Sequence, residues 1–133
     1  MPKAKSKINK SVRLLLVDDD PNMQRMVALF LNKKNFDLEI AGNGRKALEM
    51  LDSNKYDQII SDMQMPLMDG AELLQKIRGK KIKTPVILIS AYTSLDMPNE
   101  ANTSDFAAVL FKPFDSSDLI NTIGKVLKIK IRY

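Results

Sequence analysis

A rhythm of short apolar runs and amphipathic stretches constrains this chain most. The apolar runs are Val12–Val17 (VRLLLV), Phe36–Ala41 (FDLEIA), Tyr56–Ser61 (YDQIIS), Thr84–Ser90 (TPVILIS) and Ala107–Phe111 (AAVLF). Each has the length of a strand and is bounded by charge or turn residues. Between them apolar residues recur at helical spacing. Pro21–Asn32 carries Met23, Met26, Val27, Phe30 and Leu31; Asn43–Leu51 carries Ala47, Leu48 and Leu51. Gly70–Arg78 carries Ala71, Leu73, Leu74 and Ile77; Asp115–Ile129 carries Leu119, Ile120, Ile123, Val126 and Leu127. The stretch Leu95–Asp105 is polar, and Pro98 argues against a regular helix there. Strands alternating with helices predict an α/β fold of three layers, with helices on both faces of one parallel sheet. For five strands the expected winding is the doubly wound, flavodoxin-like order 2-1-3-4-5. FDLEIA alternates apolar and polar residues and belongs nearer an edge. TPVILIS is the most apolar run and is expected as a central strand, paired on both sides.

At 133 residues the chain has room for one such domain. It has no Cys, which excludes disulfides, zinc fingers, iron–sulfur ligation and a thiol nucleophile. It also has no His, which excludes imidazole acid–base chemistry and His-ligated metals. Chemistry therefore falls to carboxylates, hydroxyls and lysines, with an oxygen-liking metal. The net charge of +5 suggests a polyanion partner until it is located. Residues 1–13 hold Lys3, Lys5, Lys7, Lys10 and Arg13 with no acid, and residues 125–133 hold Lys125, Lys128, Lys130 and Arg132 with no acid. The body between them is acidic. Residues 1–11 read as a basic, solvated tail, 12–130 as the domain and 131–133 as its end, with no direct nucleic-acid contact. The apolar run Leu14–Val17 is too short for a secretory h-region or a membrane span, so a cytoplasmic protein without membrane insertion is expected.

The residues that end the apolar runs carry the chemistry. Asp18, Asp19 and Asp20 follow the first, Asp62 the third, Ser90 closes the fourth, and Lys112 follows the fifth. Folds of this class bind ligands outside the carboxyl ends of their strands, where these residues would converge. Close carboxylates repel one another or become protonated unless a cation joins them. Mg²⁺, which favours oxygen ligands and keeps waters, suits such a set. With the metal, Lys112 and Ser90 could hold phosphoryl oxygens while an Asp acts as nucleophile, so the set reads as a phosphoryl-transfer site.

The segments LLLVDDD (14–20), IISDMQMPLMDG (59–70), VILISAY (86–92) and VLFKPF (109–114) together resemble the receiver domains of two-component signalling, the family of the chemotaxis response regulator. The likeness covers roughly residues 12–130. It implies that Asp18 and Asp19 bind Mg²⁺, that Asp62 ligates it and accepts a phosphoryl group, and that the Gln64 backbone carbonyl is a further ligand. It implies that Ser90 and Lys112 contact the phosphoryl group and that a cis peptide bond precedes Pro113. The implied phosphodonor is a histidine kinase or a histidine phosphotransfer protein, which explains why the chain needs no His. The implied output is a downstream effector, or a homodimer formed on phosphorylation, engaged through strands 4 and 5 and the last helix.

Several features have plainer roles. Asp20-Pro21 reads as a helix N-cap with proline in the first turn, and Asp69 as another cap. Met63, Met65 and Met68 read as gap-filling packing. One position departs from the family pattern: Val109 stands where many receivers carry the aromatic ring of their switch. Two other functions stay open at this point. One is a receiver-like module that binds partners without phosphorylation. The other is a Mg²⁺-dependent phosphatase with an aspartyl nucleophile, which would need a second carboxylate where Gln64 stands. A stand-alone regulator and the first domain of a longer protein are both compatible with the motifs.

Overall fold

The computed structural model describes residues 11–32, 35–91 and 105–128. Its strands are β1 (Val12–Val17), β2 (Phe36–Ala41), β3 (Gln58–Asp62), β4 (Val86–Ser90) and β5 (Ala108–Phe111). Its helices are α1 (Pro21–Phe30), α2 (Gly44–Ser53), α3 (Gly70–Gly79) and α4 (Ser116–Leu127). All strand pairs are parallel, in the order β2-β1-β3-β4-β5. The predicted winding is therefore found, with FDLEIA at an edge. The apolar run expected as a central strand is β4, which lies inside the sheet between β3 and β5 and, like β3, is buried throughout. Apolarity reports burial on both faces, and every interior strand has that. The polar stretch 95–104 and Tyr92 lie outside the described residues, so the helix count here is four among those described.

Strand period splits the core in two. Leu15, Val17, Ile59 and Leu88 face Ala47 and Leu51 of α2 and Leu73 and Ile77 of α3. Leu14, Leu16, Ile60, Ile87 and Ile89 face Val27 of α1 and Leu119, Ile120 and Ile123 of α4. Consecutive residues of one strand thus serve opposite layers, which a period of two requires. Full burial contributes about 1.5–3 kcal/mol for each such side chain, before entropy is counted.

Several boundaries differ from the sequence reading for local reasons. Pro85 has no N–H to give the ladder, so β4 begins at Val86 rather than Thr84, and the Pro85 carbonyl accepts from Ile59 N at 2.9 Å. β3 begins at Gln58 rather than Tyr56, because Asp57 is tied to Arg13 instead. Asp57 N donates to Arg13 O at 2.8 Å, and Arg13 N donates to the Asp57 carboxylate at 2.8 Å. Asn43 and Asp115 cap α2 and α4 from outside instead of opening them. Lys128, at φ 57°, ends α4.

Arg13 knits together the end of the sheet where the strands begin. Its guanidinium donates to Lys55 O at 2.9 Å, meets Glu39 at 3.2 Å and Asp37 at 3.5 Å, and lies 5.0 Å from the centre of the Tyr56 ring. The Tyr56 hydroxyl donates to Glu39. Burial, reinforced by that carboxylate, pushes the phenol up to about 12.

Candidate functional site

At the opposite end, the strands deliver their last residues to one place. The β1–β3 register pairs Val17 with Ser61, which puts Asp18 level with Asp62. The β3–β4 register pairs Asp62 with Ile89, and the β4–β5 register pairs Ser90 with Phe111. Lys112 N then donates to Ser90 O at 2.8 Å, so hydroxyl and ammonium residues sit side by side across two strands. The Lys112–Pro113 bond is cis, as the resemblance implied.

Carboxylate oxygens of Asp18, Asp19 and Asp62 all lie within 4.8 Å of one another. Asp18 and Asp62 are buried, whereas Asp19 is exposed. Lys112 Nζ lies 3.3 Å from Asp62 Oδ1. Ser90 is fully buried at the end of β4. Gln64 is exposed, two residues beyond Asp62. Apart from Gln64, the predicted site residues thus share one strand-end neighbourhood, and Gln64 stands on the loop that leaves it. Asp20 stands apart from them as the cap of α1, accepting from Asn22 N at 2.9 Å, and Asp69 caps α3, accepting from Glu72 N at 2.8 Å. Met63 and Met65 are buried and Met68 packs on the same cluster, so all three do pack.

Asp18 is held rigidly. Its Oδ1 accepts from Asp20 N at 2.9 Å, and its backbone carbonyl accepts from the Gln24 side chain at 2.7 Å. The sequence reading missed Gln24, because nothing in its spacing marks a helix residue whose amide turns back to a strand end. Asp18 Oδ2 is buried and has no hydrogen-bond partner among the described residues. Burial pushes the Asp18 carboxyl up to about 6, the Asp20 amide opposes that, and the neighbouring Asp62 charge adds to it. Burial likewise raises Asp62, with Lys112 opposing. An orphaned carboxylate oxygen facing two more carboxylates is a site short of positive charge. Its all-oxygen donors fit a hard divalent cation such as Mg²⁺ better than a softer metal.

The model of the response regulator receiver domain matches residues 14–124. The chain belongs to the response regulator receiver domain family. Receiver domains are phosphoacceptors of two-component systems rather than turnover enzymes. This receiver is 30% identical over 118 residues to sporulation initiation phosphotransferase F of Bacillus subtilis, covering 89% of this chain and 95% of that protein. It is 33% identical over 118 residues to regulatory protein AtoC of Escherichia coli, covering 89% of this chain. It spans 26% of the length of AtoC, about a quarter of that regulator. Among solved structures it is similar to response regulator TrrA of Thermotoga maritima in complex with Mg²⁺-BeF, with TM-score 0.76 and 30% identity over 86% of this chain and 98% of that one. No helix among the described residues is long and apolar enough to cross a membrane.

Val109, at the position of the family's aromatic switch, is half-buried against the α2/α3 side of the core. A small β-branched side chain there has no ring to swing inward.

Proposed function

We propose that this receiver, taken as residues 12–130, is a Mg²⁺-dependent phosphoacceptor whose Asp62 carboxylate takes a phosphoryl group from a phosphohistidine. The phosphodonor is a histidine kinase or a histidine phosphotransfer protein. One observation carries the reading: Asp18, Asp19 and Asp62 lie within 4.8 Å of one another while Lys112 reaches Asp62 from the other strand. In the transfer an Asp62 oxygen forms the new P–O bond, the P–N bond of the donor breaks, and the imidazole leaves with the electron pair.

Asp18, Asp19, Asp62 and the Gln64 carbonyl would hold the metal, whose charge when bound neutralises carboxylate and phosphoryl oxygens alike. The chain's own groups do the rest. Asp18 is pre-aimed by the Asp20 amide and Gln24, so little reorganisation is required at the moment of reaction. Lys112 holds one Asp62 oxygen before transfer and can follow the added negative charge afterwards. The Ser90 hydroxyl, at the buried end of β4, would donate to a phosphoryl oxygen. Because Ser90 O and Lys112 N are bonded, a shift of Ser90 is felt directly in β5. That links the site to the face of β4, β5 and α4, where an effector or a second copy would read the phosphorylated state.

Incubation with acetyl phosphate and Mg²⁺, followed by mass spectrometry, tests the reading. The expected result is one added phosphoryl group on wild type and none on Asp62→Asn. Equal modification of the two proteins refutes it.

A further inference from the structure

The peptide units that follow Asp62 are held from several sides, with Gly70 and Ser61 among the residues that hold them. Gly70 opens α3. Its backbone is not in the positive-φ region, so conformational freedom is not what glycine supplies there. Space is. A Cβ at Gly70 would stand 2.8 Å from the Asp62 carbonyl oxygen, 2.9 Å from Leu88 Cδ1 and 3.2 Å from Met63 Cα. The carbonyl cannot retreat easily, because the same peptide unit donates through Met63 N to Ile89 O at 2.9 Å. The next peptide is tied as well, since Gly70 N donates to Met63 O at 2.9 Å. On the other side, the buried Ser61 hydroxyl donates to the Asp62 carbonyl at 2.9 Å.

We propose that Gly70 and Ser61 are positioning residues for the phosphoacceptor, fixing its main-chain carbonyl and so the direction in which the Asp62 side chain leaves the strand. The inference rests on the phosphoacceptor reading of Asp62. Gly44 supplies the contrast. A Cβ there would meet Met68 Sδ at 2.6 Å, closer than any contact at Gly70, but a thioether at the end of a flexible side chain can swing away. A backbone carbonyl in a sheet ladder cannot.

Four full-length proteins separate the outcomes: wild type, Gly44→Ala, Ser61→Ala, and Gly70→Ala combined with Leu88→Val. The Leu88 change removes the side-chain clash and leaves the carbonyl clash. Melting temperature is read beside the rate and half-saturation of phosphorylation by acetyl phosphate at saturating Mg²⁺. The Gly70→Ala/Leu88→Val protein is expected to react more slowly by on the order of tenfold or more at saturating phosphodonor. Ser61→Ala should react about fivefold more slowly at saturating phosphodonor, while its melting temperature falls by only the few degrees that one lost hydrogen bond gives. Gly44→Ala should stay within about twofold of wild type.

A folded Gly70→Ala/Leu88→Val protein that reacts at the wild-type rate overturns the role of Gly70. Should that protein not fold, Ser61→Ala decides, and a wild-type rate there overturns the proposal. An unmodified wild type would refute the phosphoacceptor reading itself, a result distinct from either of these.

Discussion

Replacing Asp18 by Asn should stabilise the metal-free protein. Asp18 is fully buried, one of its oxygens has no partner among the described residues, and the Asp19 and Asp62 carboxylates stand within 4.8 Å. Its carboxyl rises from the ordinary 3.8 to about 6. A folded state that holds its proton more tightly than the unfolded chain does loses stability as pH rises between those two values. Above both, the loss is complete and amounts to about 3 kcal/mol. Below both, the carboxyl is neutral in either state and nothing is lost. Asparagine keeps an oxygen for the Asp20 amide and removes the charge. Its amide nitrogen can donate toward the acids where Oδ2 had nothing to accept.

Guanidinium denaturation in chelator, repeated from neutral pH down to about pH 4, checks this. Asp18→Asn should exceed wild type by about 2–3 kcal/mol at neutral pH, and the gap should close as the acid end is approached. With Mg²⁺ at about a hundred times its dissociation constant, wild type should gain about 2.7 kcal/mol and the variant almost none. A variant less stable than wild type in chelator, or a gap that does not change with pH, refutes the claim that an uncompensated buried charge is stored at this site.

Three further outcomes are expected. Lys112→Ala should raise the Asp62 carboxyl further, since the ammonium 3.3 Å away now opposes the effect of burial, and side-chain NMR titration reads the direction. Gln58→Leu should add about 1 kcal/mol in denaturant melts, because both polar atoms of this fully buried amide lack a partner among the described residues. A loss there would reveal a bound water or another partner. Leu67 stands fully exposed at φ 71° on the loop after Asp62, so Leu67→Gly should raise the melting midpoint by the equivalent of about 0.5–1 kcal/mol, relief of left-handed strain outweighing glycine's entropy.

The legible part of this molecule was whatever period and punctuation control. VILIS and LLLV announce buried strands because both of their faces are covered, and the alternation of FDLEIA marks a strand nearer the edge because its polar side chains reach solvent where helices cover the sheet less fully. The placing of Asp18, Asp62, Ser90 and Lys112 followed from strand ends alone, since a parallel sheet gathers those ends without any need to know the packing. Apolarity alone does not rank β3 against β4, because both strands are covered on both faces. Ser61 and Gly70 were hidden for a different reason. Their roles depend on approaches of 3 Å or less, within β3 for Ser61 and across the β3–α3 junction for Gly70, which neither residue type nor spacing encodes. Gln24 and Arg13 act through long flexible side chains whose targets lie on other elements, and periodicity says nothing of where such chains end.

The Arg13 network and the acid cluster occupy the two ends of β1. Five residue steps along the strand carry the chain from Arg13 to Asp18, about 16 Å. One end matches the Arg13 cation to neighbouring acids and the Tyr56 ring, and the other gathers charges that repel. Sequence changes at the matched end can therefore raise or lower the tolerance of the whole domain for the strain at the other, without altering a single group that meets metal or phosphate. A lineage of such receivers has a stability dial that its chemistry never sees.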